Sequence, residues 1–166
     1  MLGKVFKHFV APRAEIASAK LKATLRGQTA IRVLGQNMEP GIPKNSVIKF
    51  TTTSADEPLR RNSIVVLTLP DFGGHPVPSR LVALEGDRVS LVEGQLFLNG
   101  AHVDEPYVQP GLASSEYSTD MAEIVVPAGT CFLLGDYRDA SKDSRVLGPI
   151  PRAAILGVVP SNAGEA

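Results

Sequence analysis

The spacing of apolar and polar positions changes character once along this chain, near residue 28. Before that point Leu2, Val5, Phe6, Phe9 and Val10 recur at helical spacing with Lys4 and Lys7 beside them. Pro12 separates a second, Ala- and Lys-rich stretch carrying Ile16, Ala19, Leu21 and Leu25. The pattern predicts two helical pieces, stopped at Gly27. Beyond it the chain reads as short strands. Ala30–Leu34 and Ser46–Thr52 flank the loop GQNMEPGIPKN, and Ser63–Leu69 is a β-branched apolar run of the kind that forms a buried strand. Pro70–Pro78 reads as a Gly/Pro loop leading into a strand at Arg80–Leu84. Two alternating runs within 88–103 meet at Glu93-Gly94, a hairpin signal, and Asn99-Gly100 marks another turn. Pro106–Ser118 is a loop, followed by strands at Ala122–Val126 and Thr130–Leu134 joined through Pro127–Gly129. After the polar stretch GDYRDASKDSR, the apolar IPRAAILGVVP closes a sheet. The residues thus predict a mostly β domain, barrel or sandwich, over 28–160, with a basic amphipathic helical arm over 1–27 and a flexible tail over 161–166.

Composition narrows the partners. A chain of 166 residues fits one domain with its own core. Lys+Arg and Asp+Glu are 17 each, which argues against a general nucleic-acid binder. The balance conceals an asymmetry, because residues 1–27 carry six basic side chains against the single Glu15. A basic arm therefore precedes an acidic body. Three readings of the arm stay open: it packs on the body or a partner, it lies on a membrane surface, or it is a mitochondrial presequence. No stretch reaches the length of an apolar membrane span, and no secretory signal peptide is visible. Cys131 is the lone cysteine, so no intrachain disulfide forms. His8, His75 and His102 have no ligand spacing, so neither a metal nor another cofactor is expected.

Four segments, in order, carry a family resemblance. They are GQNMEP at 35–40, PSRLVALEGDRV at 78–89, LFLNGAHVDEPYV at 96–108 and GDYRDASKDSRVLGPIPRAAILG at 135–157. Together they resemble the signal peptidase I family of serine endopeptidases, over about Ile31 to Val159. The last match is long and ordered, hence specific. The resemblance implies that family's coiled antiparallel β-sheet fold and a Ser–Lys dyad, in which a desolvated lysine takes the proton of an attacking serine.

Both dyad members are replaced here. The nucleophile position, before Met38, is Asn37, and the general-base position, before Arg80, is Ser79. A carboxamide gives no nucleophile to a neutral base, and a serine accepts no proton near neutral pH. Peptidases stripped of their catalytic members keep only about 10³–10⁴ over water, which is no working amide hydrolase. Fold alone does not license the activity. The expectation is a pseudoenzyme. Ser46 reads as the start of the next strand rather than a displaced nucleophile, and Lys142 is the substitute base to weigh, paired with Ser141 or Ser79.

The resemblance assigns the former substrate groove to Gln36, Asn37, Met38, Pro40, Ser79 and Ser141. It assigns shape-holding roles to Gly86, Asp87, Gly135, Asp136, Arg138, Asp143 and Arg145, with Asp143 and Arg145 as an ion pair and Gly86 and Gly135 as turn residues. A charged loop of this kind is expected to pair internally. Family members carry a membrane helix before the serine box, where this chain has its basic amphipathic stretch. The reading is a soluble, cytoplasmic protein, peripheral at a membrane if the arm binds one, with a mitochondrial location as alternative. Three functions compete: a domain holding an extended peptide or partner segment in the old groove, a peptidase with a non-standard dyad, and an assembly component docking through its arm.

Overall fold

Among the described residues, eleven strands build two antiparallel sheets. They are β1 Gln28–Arg32, β2 Val47–Thr52, β3 Ile64–Thr68, β4 Pro76–Leu84, β5 Arg88–Val92, β6 Gln95–Leu98, β7 Ala101–His102, β8 Met121–Val125, β9 Thr130–Leu134, β10 Ile150–Pro151 and β11 Ile155–Val158. One sheet runs β1-β2-β11-β3-β4-β9-β10 and the other β7-β6-β5-β8. The computed structural model describes residues 28–54, 57–109 and 120–161. The arm expected over 1–27, most of the loop expected over 106–118 and all but the first residue of the tail expected over 161–166 lie outside the described residues.

The mostly β architecture follows from the period-two pattern. In β2, Ile48 and Phe50 turn inward between exposed neighbours, and in β5 Val89 and Leu91 are buried on either side of a half-buried Ser90. The β3 run behaves differently: Val65, Val66 and Leu67 are all buried, so both faces of this strand are covered. The apolar C-terminal stretch closes the large sheet as expected, with β11 inserted between β2 and β3. At both hairpin tips the two central residues have positive φ, Glu93 and Gly94 at 51° and 77°, Asn99 and Gly100 at 53° and 83°. That combination makes the tight turns that match strand twist. Among the described residues no helix is long and apolar enough to cross a membrane.

One boundary departs from expectation in a way that matters below. Pro70–Pro78 is not all loop. A short 3-10 turn spans Pro70–Phe72, and β4 begins at Pro76, so Pro76 and Pro78 are strand residues. They are tolerated because of where they face. Leu81 N donates to Ser63 O on the β3 side, so alternation turns positions 76 and 78 away from β3. On that far side β9 pairs with β4 only from Arg80 onward. Proline's missing donor therefore falls on an open edge.

Asp87 ties the two sheets' junction together. Its carboxylate accepts Arg61 Nη2 at 2.7 Å and Nε at 2.8 Å, Leu84 N at 2.8 Å and Asn99 Nδ2 at 3.0 Å. These donors, Arg61 foremost, hold the carboxyl down at about 2. A carboxyl depressed in the folded state stabilises the fold above its unfolded value near pH 4, and that contribution fades as pH falls towards the folded value. Urea unfolding at pH 6 should place Asp87→Asn about 2 kcal/mol below the unaltered chain, and the gap should close between pH 4 and 2. A gap independent of pH contradicts this account.

Candidate functional site

The loop after β1 carries Asn37 towards the open edge of β4. Asn37 is 7% exposed, and its Nδ2 donates to Pro78 O at 2.7 Å. Pro78 has a carbonyl and no N–H, so the amide must turn its nitrogen towards it. The other amide atom, Oδ1, is buried with no hydrogen-bond partner among the described residues. Leaving such an acceptor unmade costs about 1–3 kcal/mol. Ser79, on β4, is also buried, and its hydroxyl donates to Leu134 O at 3.1 Å on β9. The side chains at both positions are thus held by main-chain carbonyls.

Behind them the 135–145 segment is locked against the Asn37 loop. Tyr137 N donates to Asn37 O at 3.0 Å, while Ser141 Oγ donates to Tyr137 O at 2.6 Å and lies 3.2 Å from Asn37 O. Gly135 makes this approach possible. A Cβ built there would lie 1.8 Å from Ser141 Oγ and 2.6 Å from Asn37 O. The expectation that Gly135 is a turn residue is corrected: it follows β9 directly, and close approach, rather than a positive φ, is what demands glycine. Gly86, with φ at 82°, is a turn residue as expected.

The expected pair of Asp143 and Arg145 is present, with Nε 2.9 Å from Oδ1. Asp143 also accepts Gly135 N at 3.0 Å and caps the short helix α1, Ser144–Leu147, by accepting Arg145 N at 3.1 Å. Internal pairing of the charged loop holds only in part, however. Asp136 reaches out to β4, where Arg80 grips it through Nε at 2.7 Å and Nη2 at 2.6 Å. Arg80 further donates to Asn62 and lies over the Tyr107 ring, 3.7 Å from its centroid. Arg138, 1% exposed, pairs with Glu105, which also accepts the Tyr107 hydroxyl at 2.9 Å. Burial, reinforced by Glu105, pushes the Tyr107 phenol well above its ordinary range.

A cavity of about 20 Å³, room for one water-sized group, opens between β4 and the Lys142–Ser144 stretch. Asn37, Ser79, Lys142, Asp143 and Ser144 supply polar lining, and residues such as Leu67, Phe72 and Val77 apolar lining. Lys142 Nζ pairs with Asp71 Oδ2 at 3.0 Å, from the turn at Pro70–Phe72. Of the groove residues named from sequence, Asn37 and Ser79 line this cavity and Ser141 touches Asn37. Met38 is fully buried in a core cluster with Val33 and Ile42, and Gln36 and Pro40 are exposed on the loop. Sequence reasoning missed three partners: Asp71, Arg80 as the grip on Asp136, and Glu105. Arg80 carried one signal, a charge set directly before the apolar run Leu81–Leu84.

The profile of the family described as "Signal peptidase, peptidase S26" matches residues 16–162. Signal peptidase I of Bacillus caldolyticus is 31% identical over 137 residues, spanning 76% of this chain and 74% of that protein. Signal peptidase IB of Staphylococcus aureus (strain Mu50 / ATCC 700699) is 25% identical over 166 residues, 91% of this chain and 76% of the relative. The crystal structure of a signal peptidase I from Enterococcus faecalis V583 superposes with a TM-score of 0.54 at 28% identity, covering 63% of this chain and 98% of that one.

Proposed function

The chain belongs to the signal peptidase family, and we propose that it is a non-cleaving member, which holds a polypeptide segment at the groove where its relatives cleave one. The observation that carries this reading is the fate of the two dyad positions. Asn37 stands where the nucleophile is expected and is bonded to Pro78 O, and Ser79 stands where the base is expected and is bonded to Leu134 O. The Asn37 amide yields no attacking oxygen, and the Ser79 hydroxyl cannot serve as the general base. What the pair leaves is a buried acceptor, Asn37 Oδ1, beside a small cavity.

The geometry also narrows how a segment binds. Strand addition to an open sheet edge is the general mode for an extended peptide. On β4 that edge offers carbonyls at Pro76 and Pro78 but no N–H, and Asn37 already occupies Pro78 O. Recognition here therefore favours a segment that donates its own N–H groups.

A second reading, a peptidase built from Ser79 and Lys142, is favoured by one fact: both line the cavity. Against it, the Ser79 hydroxyl donates to a carbonyl and Lys142 is paired with Asp71. Incubation with labelled peptides ending in Ala-x-Ala, or containing it internally, separates the readings. Mass spectrometry is expected to find every peptide intact, and anisotropy to find binding of at least one that Asn37→Leu weakens. Product that disappears in Lys142→Ala makes the protein an enzyme, and absence of all binding removes the holding function.

A further inference from the structure

Asn99 is the one asparagine in the chain that a glycine follows. That dipeptide has a reactivity of its own. The Gly100 nitrogen, with no side chain on its own residue to hinder it, attacks the Asn99 carboxamide carbon, closes a cyclic succinimide and expels ammonia. Water then opens the ring at either carbonyl, leaving aspartate or isoaspartate. The attack requires nitrogen and carbon at about 3–3.5 Å, with the amide free to swing into place. Both residues are exposed at the tip between β6 and β7, and open space surrounds the position a Gly100 side chain would take. Water and base therefore reach the site.

What opposes the reaction is the way the carboxamide is held. Asn99 Oδ1 accepts Arg88 N at 2.9 Å, and Nδ2 donates to Asp87 Oδ1 at 3.0 Å. The first partner only donates and the second, ionised, only accepts, so the amide has a single orientation. Asp87 is itself fixed by Arg61 and Leu84 N. Both ends of the carboxamide must let go before its carbon meets the Gly100 nitrogen. We propose that Asn99 is a spontaneous deamidation site clamped by Asp87, and that its conversion unlocks the junction between the two sheets. The product reverses the contact, because a second carboxylate replaces the donor that stood 3.0 Å from Asp87 Oδ1. Two carboxylates sharing a site repel, and one is driven towards its neutral form. Isoaspartate also lengthens the backbone of a two-residue turn that sets the pairing of Leu98 with Ala101.

The test incubates the full chain in mildly alkaline buffer and follows Asn99 by peptide mass mapping in the unaltered protein, Asp87→Ala and Asp136→Ala. Asp87→Ala removes the clamp and is expected to deamidate about tenfold faster, the scale of one hydrogen bond to a charged group. Asp136→Ala weakens the fold elsewhere and leaves the clamp in place, so its rate should stay within about twofold of the unaltered chain. Equal acceleration in the two variants places the reaction in the unfolded chain and overturns the clamp. So does an unaltered chain that reacts as fast folded as it does in urea, a comparison that holds whether or not Asp87→Ala folds. The consequence is read from Asn99→Gly, which keeps the left-handed turn without a side chain, and Asn99→Asp, which supplies the product's charge. By urea unfolding, Asn99→Asp is expected to have a folding constant about tenfold below that of Asn99→Gly, the equivalent of one pKa unit between the two carboxylates. Equal stability of these two variants overturns the unlocking.

Discussion

The Asn37→Ser/Ser79→Lys double variant will cleave an Ala-x-Ala precursor peptide that the unaltered chain leaves intact. Packing and hydrogen bonds hold the backbone around these two positions in place. Ser141 Oγ is held beside Asn37 O, Gly135 permits the close approach, and Asp143 fixes the backbone on the far side. A lysine introduced at 79 would enter a hollow lined by Leu67, Phe72 and Val77, with the charge of Lys142 nearby. Desolvation favours its neutral form, the form a general base needs, against the pull of the Asp143 carboxylate that lines the same hollow. A positioned base typically contributes about 10²–10⁴ in rate, so a gain of at least about 10² over background is expected, rising with pH as the new amine loses its proton. Each single variant should stay silent, because nucleophile and base act as one unit. A correctly folded double variant that yields no product would overturn the proposal that these two positions alone decide cleavage.

The second large effect concerns stability. Asp136 and Arg80 are 3% and 9% exposed, and the guanidinium holds the carboxylate through two short hydrogen bonds. Removing one partner strands a buried charge, which costs about 3–5 kcal/mol. Asp136→Ala should therefore lower Tm by about 10–15 °C in a chain of this size. Glu123, paired with Arg88 where the two side chains are 41% and 62% exposed, provides the contrast. Glu123→Gln should change unfolding free energy by no more than about 1 kcal/mol, because water already screens that pair. Equal losses at the two sites, measured by thermal and urea unfolding, would remove burial as the reason Arg80 and Asp136 matter.

Where side-chain period alone decides structure, the sequence was a sound guide. β2, β5 and the two Gly-containing hairpin tips lie where alternation and turn chemistry put them, and the β-branched run of β3 is buried on both faces. The assignment of positions 37 and 79 to a former dyad rests on the resemblance, through their neighbours Met38 and Arg80; the structure adds that both side chains line one cavity. Two kinds of information were not legible. Pro76 and Pro78 read as loop because proline ordinarily breaks a ladder, and only the staggered start of β9 explains why they fit in β4. Pairings across long separations were equally hidden. Asp136 with Arg80, Arg138 with Glu105 and Lys142 with Asp71 join residues from different elements, and charge spacing along one segment says nothing about a partner from another.

Those two prolines have a consequence for how molecules of this protein meet one another. A groove left permanently unlatched beside an extended backbone is a standing invitation to stack with an identical neighbour and propagate into fibres. Along Pro76–Pro78 a second molecule finds no hydrogen to share and one oxygen already claimed. The edge thus lacks the N–H donors that edge-to-edge pairing between identical copies would use.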